Sequence, residues 1–228
     1  MGKSMASKEE ASSAVMQENG RRRSRAGMLL IDLQKAFTVG GWASHFGGAE
    51  QVKDIERACA ETAKLFTSGV LPKDTPVLCT KCYLDGRYDE PYVDVVEPLL
   101  REYNCIHKPT MDVTLNPRYS AWLKHEVEQG LDVLVIGGCT TTSCVRVSST
   151  QTMALLKRLG LDKEVRVVVD LSLCGARSEN FEKNAEQDPV LVRIYGRQFC
   201  VGKSAVDLAI VQMRQTGVEV IEEGGFPW

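Results

Sequence analysis

The feature that most constrains the fold is a series of short apolar runs, each separated from the next by a segment with helical spacing. Apolar runs without polar interruption are typical of strands that are buried on both faces. The runs are Met28–Asp32, Val77–Leu84, Cys105–Lys108, Val133–Gly137, Val165–Asp170 and, more weakly, Val218–Ile221. Strands that alternate with helices build a parallel sheet with helices on both sides. We therefore predict an α/β fold: a three-layer α/β/α domain with a six-stranded, mainly parallel sheet.

Helical spacing is clearest in four segments, and glycines mark where three helical segments give way to a strand. Apolar residues recur every three or four positions in 52–66, 122–127, 145–155 and 206–213. Gly130, Gly160 and Gly217 each stand just before a predicted strand, where glycine adopts the left-handed cap of a helix at no steric cost. The pattern predicts a single domain over residues 27–228.

Residues 1–26 differ in amino-acid composition from the rest of the chain. They are rich in Ser, Glu, Lys and Arg and end in the basic cluster 21–25. Such a segment buries too little apolar surface to fold alone, so we predict a disordered, solvated tail. The cluster also fits a nuclear signal or a phosphate-binding patch.

Charge and cysteine content narrow the class of protein. A net charge of −2 argues against a nucleic-acid binder that works by bulk charge, and no apolar run reaches membrane-helix length. The first 27 residues hold no apolar signal-peptide core, so the eight cysteines are expected to be reduced thiols in the cytoplasm. Cys79 and Cys82 have zinc-like spacing, but they lie inside a strand-like run and lack a second pair. We predict no metal and no cofactor.

Three side chains of different chemistry fall at the carboxyl ends of predicted strands, where ligands bind in sheets of this kind. They are the carboxylate of Asp32, the amine of Lys108 and, after the turn that follows the fourth strand, the thiol of Cys144. A thiol near the first turn of a helix is expected to have a lowered pKa, and the adjacent N–H groups can hold an oxyanion. Asp32 would accept the thiol proton. Taken singly, each residue has an ordinary alternative: a turn cap, a solvated lysine or a packed thiol.

Several motifs resemble those of the isochorismatase-like cysteine hydrolases. Residues 135–145, VIGGCTTTSCV, resemble the family's G-x-x-T-x-x-C-V signature, and residues 29–37, LLIDLQKAF, resemble its D-x-Q-x-x-F motif. Lys108 followed by YSAW at 119–122 resembles its lysine and S-A-F stretch, and VVVD at 167–170 matches its next strand. The resemblance runs in order over roughly residues 27–200.

The resemblance implies a Rossmann-like fold, a catalytic triad of Asp32, Lys108 and Cys144, and an oxyanion hole made by the N–H groups of Thr140 and Cys144. It also implies a cis peptide bond between Cys139 and Thr140 and a homo-oligomer, a dimer or tetramer. The nicotinamidase branch places a metal-binding Asp and His residues after the first and second strands. Residues 80–86 contain no histidine, which disfavours that metal.

Aromatic residues near these motifs are candidates for a slot that binds a flat small molecule. The candidate substrate-binding residues are Phe37, Trp42, Tyr83, Tyr119 and Trp122, with Arg146 as a partner for a substrate carboxylate. Phe37 and Trp122 fit core packing equally well, and Arg146 fits an interface or solvent. The ten residues 109–118 are expected to shape the rim of the pocket.

Three functions remain open on the sequence. The first is hydrolysis of an amide or ureido C–N bond through a Cys144 thioester, which the thiol favours because acyl transfer needs a nucleophile. The second is isochorismate cleavage to pyruvate and 2,3-dihydroxy-2,3-dihydrobenzoate, which needs a general acid but no thiol. The third is a catalytically inert binding protein.

Overall fold

Six strands form one sheet in the order β3-β2-β1-β4-β5-β6, and every pairing between these strands is parallel. The computed structural model describes residues 25–45, 47–83, 90–182 and 184–228. The strands are β1 (Arg25–Ile31), β2 (Val77–Cys82), β3 (Asn104–Lys108), β4 (Leu131–Cys139), β5 (Arg166–Gly175) and β6 (Glu219–Ile221). The prediction of an α/β fold with a six-stranded parallel sheet is confirmed.

Nine α-helices lie in the described parts of the chain. They are α1 (Gly41–His45), α2 (Ala49–Thr67), α3 (Glu97–Leu100), α4 (Pro117–Glu128), α5 (Arg146–Leu159), α6 (Glu179–Glu182), α7 (Pro189–Tyr195), α8 (Arg197–Cys200) and α9 (Ala205–Thr216). Short 3-10 turns cover Lys35–Phe37, Val113–Leu115 and Ala185–Gln187, and one π-helical turn covers Thr141–Val145. Within those described parts, no helix has both the length and the apolar character needed to cross a bilayer.

The two faces of the sheet are covered by different helices, which makes the three layers. Residues of α4, α5 and α9 pack on one face, where Leu29, Ile31, Leu134 and Ile136 are buried. Residues of α2 and α3 pack on the other face, against Met28, Leu30, Val77 and Cys79. Elsewhere on the sheet, Phe226 and Trp228 pack against Val133, Val135 and Val168.

The strands lie close to their predicted positions, but four of them, β1, β3, β4 and β5, are longer than the apolar runs that predicted them. β1 begins at Arg25, so residues 25 and 26 belong to a strand rather than to the predicted tail. Residues 1–24 of that tail, and Leu84 of the second apolar run, lie outside the described residues. β4 and β5 continue through Cys139 and Gly175, because glycines and small residues let the sheet extend beyond its purely apolar part.

Glycines at the end of β4 allow neighbouring strands to come unusually close. A Cβ on Gly138, which has φ 126°, would overlap the carbonyl oxygen of Ile31 in β1. A Cβ on Gly137 would lie 2.7 Å from the Cβ of Leu173 in β5. The end of β4 is therefore held against Ile31 of β1 and Leu173 of β5.

This close approach predicts a large difference between two Gly→Ala variants. Gly138→Ala places a methyl group against backbone, so we expect it to lower the free energy of unfolding by at least about 3 kcal/mol. Gly160→Ala is the matched control, because Gly160 caps α5 with φ 71° and a Cβ there has open space. We expect a loss of only about 1 kcal/mol for the control. Urea denaturation followed by circular dichroism measures both, and equal losses would contradict the close-approach argument.

Candidate active site

The ends of β1 and β4 are neighbours at the point where the strand order reverses. β1 is followed along the sheet by β2 and β3 on one side, and by β4, β5 and β6 on the other. In open parallel sheets such a switch point leaves a crevice beyond the carboxyl ends of the strands, and ligands bind there. β1 ends next to Asp32 and β4 ends at Cys139, so both lead directly into this crevice.

Asp32 is fixed by its backbone and by two partners. Its φ is +49°, and no other non-glycine residue in the described parts of the chain has a positive φ. A left-handed conformation of this kind costs of order 1 kcal/mol or more and is concentrated at functional sites. The Thr80 hydroxyl donates to Asp32 Oδ1 at 2.6 Å and accepts a hydrogen bond from the Asp32 N–H at 3.2 Å.

Lys108 is the second partner of Asp32, and both side chains are completely buried. Lys108 Nζ lies 2.6 Å from Asp32 Oδ2 and also donates to the carbonyl oxygen of Thr110 at 3.3 Å. Burial acts to lower the pKa of Lys108, but the Asp32 carboxylate and then Cys144 outweigh it and hold the pKa above its ordinary value. The pair is therefore a buried ammonium against a buried carboxylate.

Cys144 lies in the π-helical turn Thr141–Val145, immediately before α5 begins at Arg146. The thiol is 7% exposed, and the peptide bond that leads into the turn, between Cys139 and Thr140, is cis. The Thr140 and Ser143 hydroxyls are 2.6 Å apart and tie the residue before the turn to the middle of the turn. π-helical turns are rare and occur frequently at functional sites.

The expectation of a lowered pKa for Cys144 is wrong. Burial, followed by the negative charge of Asp32, raises the pKa of Cys144 to about 12, and the Lys108 ammonium only partly offsets this. The resting protein therefore holds a neutral thiol beside a carboxylate.

A cavity of about 450 Å³ opens onto Cys144 and Lys108. Three of the predicted substrate-binding residues line it: Phe37, Trp42 and Tyr83. Thr140 lines it too. The Phe37 and Trp42 rings pack 6.2 Å apart, which gives the cavity an aromatic wall.

The other three predicted substrate-binding residues lie elsewhere. Tyr119 is completely buried in the core, where its hydroxyl lies 2.7 Å from that of Thr152. Trp122 packs against the same core with its ring 6.2 Å from that of Tyr119, because both belong to the buried face of α4. Arg146 turns away from the cavity and donates to the Thr142 carbonyl and the Gln212 side chain.

The sequence analysis missed two polar residues of the cavity wall, Arg177 and Asn180. Asn180 donates to the Thr142 hydroxyl at 3.2 Å, and Arg177 pairs with Glu179. Both follow Gly175, the true end of β5, whereas the predicted end of that strand was Asp170. Ligands bind beyond the carboxyl ends of strands in such sheets, so Arg177 and Asn180 would have been predicted had β5 been extended to Gly175.

Further residues of the wall come from the segment after β3 and from the turn after β4. Pro109, Thr110 and Met111 line the cavity, as expected for the 109–118 segment, together with Thr142 and Ser143.

Within residues 25–45, 47–83, 90–182 and 184–228, no three His, Cys, Asp or Glu side chains are grouped so that they could hold a metal ion.

Cys82 is a second thiol at this cavity. It is the register partner of Lys108, and it follows Thr80 by two residues on the same face of β2. Gln34 fixes its backbone from both sides, since Gln34 Nε2 donates to the Cys82 carbonyl at 3.2 Å and the Cys82 N–H donates to Gln34 Oε1 at 2.7 Å. The glutamine of the D-x-Q motif thus holds the end of β2 beside Asp32.

A model of the isochorismatase domain matches residues 26–188, which is most of the chain. The chain belongs to the isochorismatase family. It is therefore a hydrolase, and the matched region contains Asp32, Lys108, Cys144 and every described residue that lines the cavity.

Several solved structures share this fold. Nicotinamidase PncA from Bacillus subtilis is similar at a TM-score of 0.58 and 12% identity, over 87% of this chain and 99% of that one. An isochorismatase-like hydrolase from Alkaliphilus metalliredigens is similar at a TM-score of 0.56 and 14% identity, over 86% of this chain and 93% of that one. The YcaC product of Escherichia coli is similar at a TM-score of 0.50 and 14% identity, over 86% of this chain and 74% of that one. It is described as an octameric hydrolase of unknown specificity. A search of the curated proteins finds no match.

The buried ion pair predicts strong non-additivity in stability. Lys108→Met leaves a buried carboxylate without its counter-ion, so we expect a loss of about 3–5 kcal/mol in the free energy of unfolding. The double variant Asp32→Asn with Lys108→Met buries no charge, and we expect it to lose clearly less than Lys108→Met alone. Lys53→Met, at an exposed pair with Glu50, is the control and should change stability by less than about 1 kcal/mol. Additive losses in urea denaturation would contradict a coupled pair.

The raised pKa of Cys144 predicts an unusual pH profile for alkylation. Since only the thiolate reacts, Cys144 labelling by iodoacetamide should still be rising at about pH 10, whereas free glutathione levels off earlier. Asp32→Asn removes the negative charge that raises this pKa, so labelling at about pH 8 should become faster. Peptide mapping after timed quenching measures the rate at Cys144. Slower labelling in Asp32→Asn would show that the carboxylate does not raise this pKa.

Proposed function

We propose that this isochorismatase-family hydrolase cleaves a C–N bond in a small planar amide or ureido compound through a Cys144 thioester. The observation that carries the proposal is a cavity-facing thiol whose interactions with both Asp32 and Lys108 shift its pKa. A nucleophile with a base in reach is the arrangement that acyl transfer requires. The same geometry argues against an inert binding protein, because a buried charge pair is often less stable than apolar residues of the same volume and needs another reason to be kept.

The residues divide the reaction between them. Asp32 accepts the Cys144 proton as the thiol attacks the substrate carbonyl, and the N–H groups of Thr140 and Cys144 hold the oxyanion. Asp32 then returns the proton to the departing ammonia or amine, leaving a thioester. Water hydrolyses the thioester with Asp32 as the base. Lys108 pairs with Asp32 and stabilises the thiolate when it forms.

The lining of the cavity supports a planar substrate with one polar end. Phe37, Trp42 and Met111 offer apolar contact surface, while Arg177 and Asn180 supply polar groups on the wall that follows β5. A volume of about 450 Å³ suits a small molecule. One of the similar structures is a nicotinamidase, and nicotinamide is a planar aromatic amide of this size class.

Isochorismate cleavage is the second candidate, and the name of the matched domain favours it. That reaction needs Asp32 in its protonated form as a general acid and has no step for Cys144. The two candidates therefore differ in whether the thiol is required.

The distinguishing experiment measures ammonia release from a panel of small aromatic amides and ureido acids, and pyruvate release from isochorismate. We expect ammonia release by the native protein and a fall of at least about 10³-fold in Cys144→Ala. Cys105→Ala, which removes a half-buried thiol outside the cavity, should leave ammonia release unchanged. Pyruvate release by the native protein and by Cys144→Ala alike would replace the amidase assignment with vinyl ether hydrolysis.

We also propose that the protein self-associates in the cytoplasm. An octameric assembly is described for the YcaC product, and this chain exposes Val190 and Ile194 on one short helix, α7. All eight cysteines are free, which suits a reducing compartment. Light scattering coupled to size exclusion measures the mass of the assembly, and a monomer at micromolar concentration would contradict self-association.

A further inference from the structure

We propose that the cavity is a two-thiol oxidation site for hydroperoxides, in which Cys144 is oxidised first and Cys82 resolves the product as an intramolecular disulfide. The proposal goes beyond the hydrolytic function and does not depend on the identity of the hydrolytic substrate. It rests on where the fold places Cys82.

Cys82 is directed at the catalytic groups by three independent constraints. In β2, Thr80 and Cys82 are two residues apart and so face the same side of the sheet, and Thr80 contacts Asp32 at 2.6 Å. Cys82 is paired in register with Lys108, which is 2.6 Å from the same carboxylate. The side chain of Gln34 holds both backbone polar groups of Cys82.

Both thiols also border one cavity and interact with one carboxylate. Cys82 and Cys144 line the same open space of about 450 Å³. Burial and then Asp32 raise the pKa of Cys82, as they do for Cys144, and the charge of Cys144 raises the pKa of Cys82 further. A disulfide needs its two Cα atoms within about 7 Å, and the end of β2 and the turn that holds Cys144 border the same cavity beside the Asp32–Lys108 pair.

The chemistry balances with a hydroperoxide as the oxidant. Asp32 takes the Cys144 proton, and the thiolate attacks the peroxide oxygen. The O–O bond breaks, an alcohol or water leaves with the proton from Asp32, and Cys144 becomes a sulfenic acid. Cys82 then attacks the Cys144 sulfur, the S–O bond breaks, and water leaves with the Cys82 proton. Two thiols are oxidised to one disulfide, and one hydroperoxide is reduced.

Other thiol pairs in the chain provide an internal comparison. Cys79 and Cys105 are register partners on β2 and β3, but Cys79 is completely buried and neither residue lines the cavity. Cys59 and Cys139 interact in the core, where both are inaccessible. If accessibility to the peroxide decides the product, the Cys82–Cys144 pair should be oxidised before either of these.

The test treats the full chain with a small excess of hydrogen peroxide, blocks remaining thiols, and maps peptides without reduction. We expect a cross-linked peptide containing Cys82 and Cys144 that dithiothreitol releases. In Cys82→Ser the cross-link should vanish, Cys144 should be trapped by dimedone as a sulfenic acid, and continued exposure should give irreversible sulfinic acid. Cys105→Ala, the matched control, should retain the native cross-link.

Two results would overturn the proposal. One is the same Cys144 sulfinic acid yield in the native protein and in Cys82→Ser, with no cross-link in either. The other is a Cys79–Cys105 disulfide as the first product. Because the readout is a mass and not turnover, failure of the amide assay would leave this test intact, and failure of this test would leave the hydrolytic assignment standing.

Discussion

The site depends on a carboxylate and an ammonium that are buried together. Asp32 Oδ2 and Lys108 Nζ lie 2.6 Å apart with no exposed surface on either side chain. Such a pair is tolerated only where both charges have further partners, and Thr80 and the Thr110 carbonyl supply them. The ends of the strands β1, β2 and β3 therefore meet at one charge pair. Both charges of this pair act on the pKa of Cys144.

Much of this arrangement is predictable from the sequence because parallel sheets impose simple rules. Apolar runs separated by helical spacing indicate the six strands, and the ends of those runs point to Asp32, Lys108 and Cys144. The cavity wall is harder to predict. Tyr119 and Trp122 have suitable chemistry, but the helical period of α4 turns them into the core, and Arg177 is hidden by a strand that extends past its apolar run to Gly175.

Cys82 shows how a weak sequence signal can suggest the wrong partner. Its spacing from Cys79 suggests a metal pair, yet residues three apart on a strand point to opposite faces. Cys79 is buried in the core beneath α2, while Cys82 is only partly packed against that core and lines the cavity beside Lys108. The neighbours of Cys82 at the cavity are therefore distant from it in sequence. Gln34 of the D-x-Q motif holds the backbone of Cys82 in that position.

The raised pKa of Cys144 changes what the site must do. A thiol that is neutral at physiological pH does not react with every electrophile that enters the cavity, and its proton must be removed when a substrate is bound. Asp32 raises the pKa of Cys144, and in the proposed mechanism it also accepts the thiol proton, so in that mechanism one carboxylate both restrains the nucleophile and activates it. Lys108 opposes the effect of Asp32, so burial and the balance between these two charges together set how easily the thiolate forms.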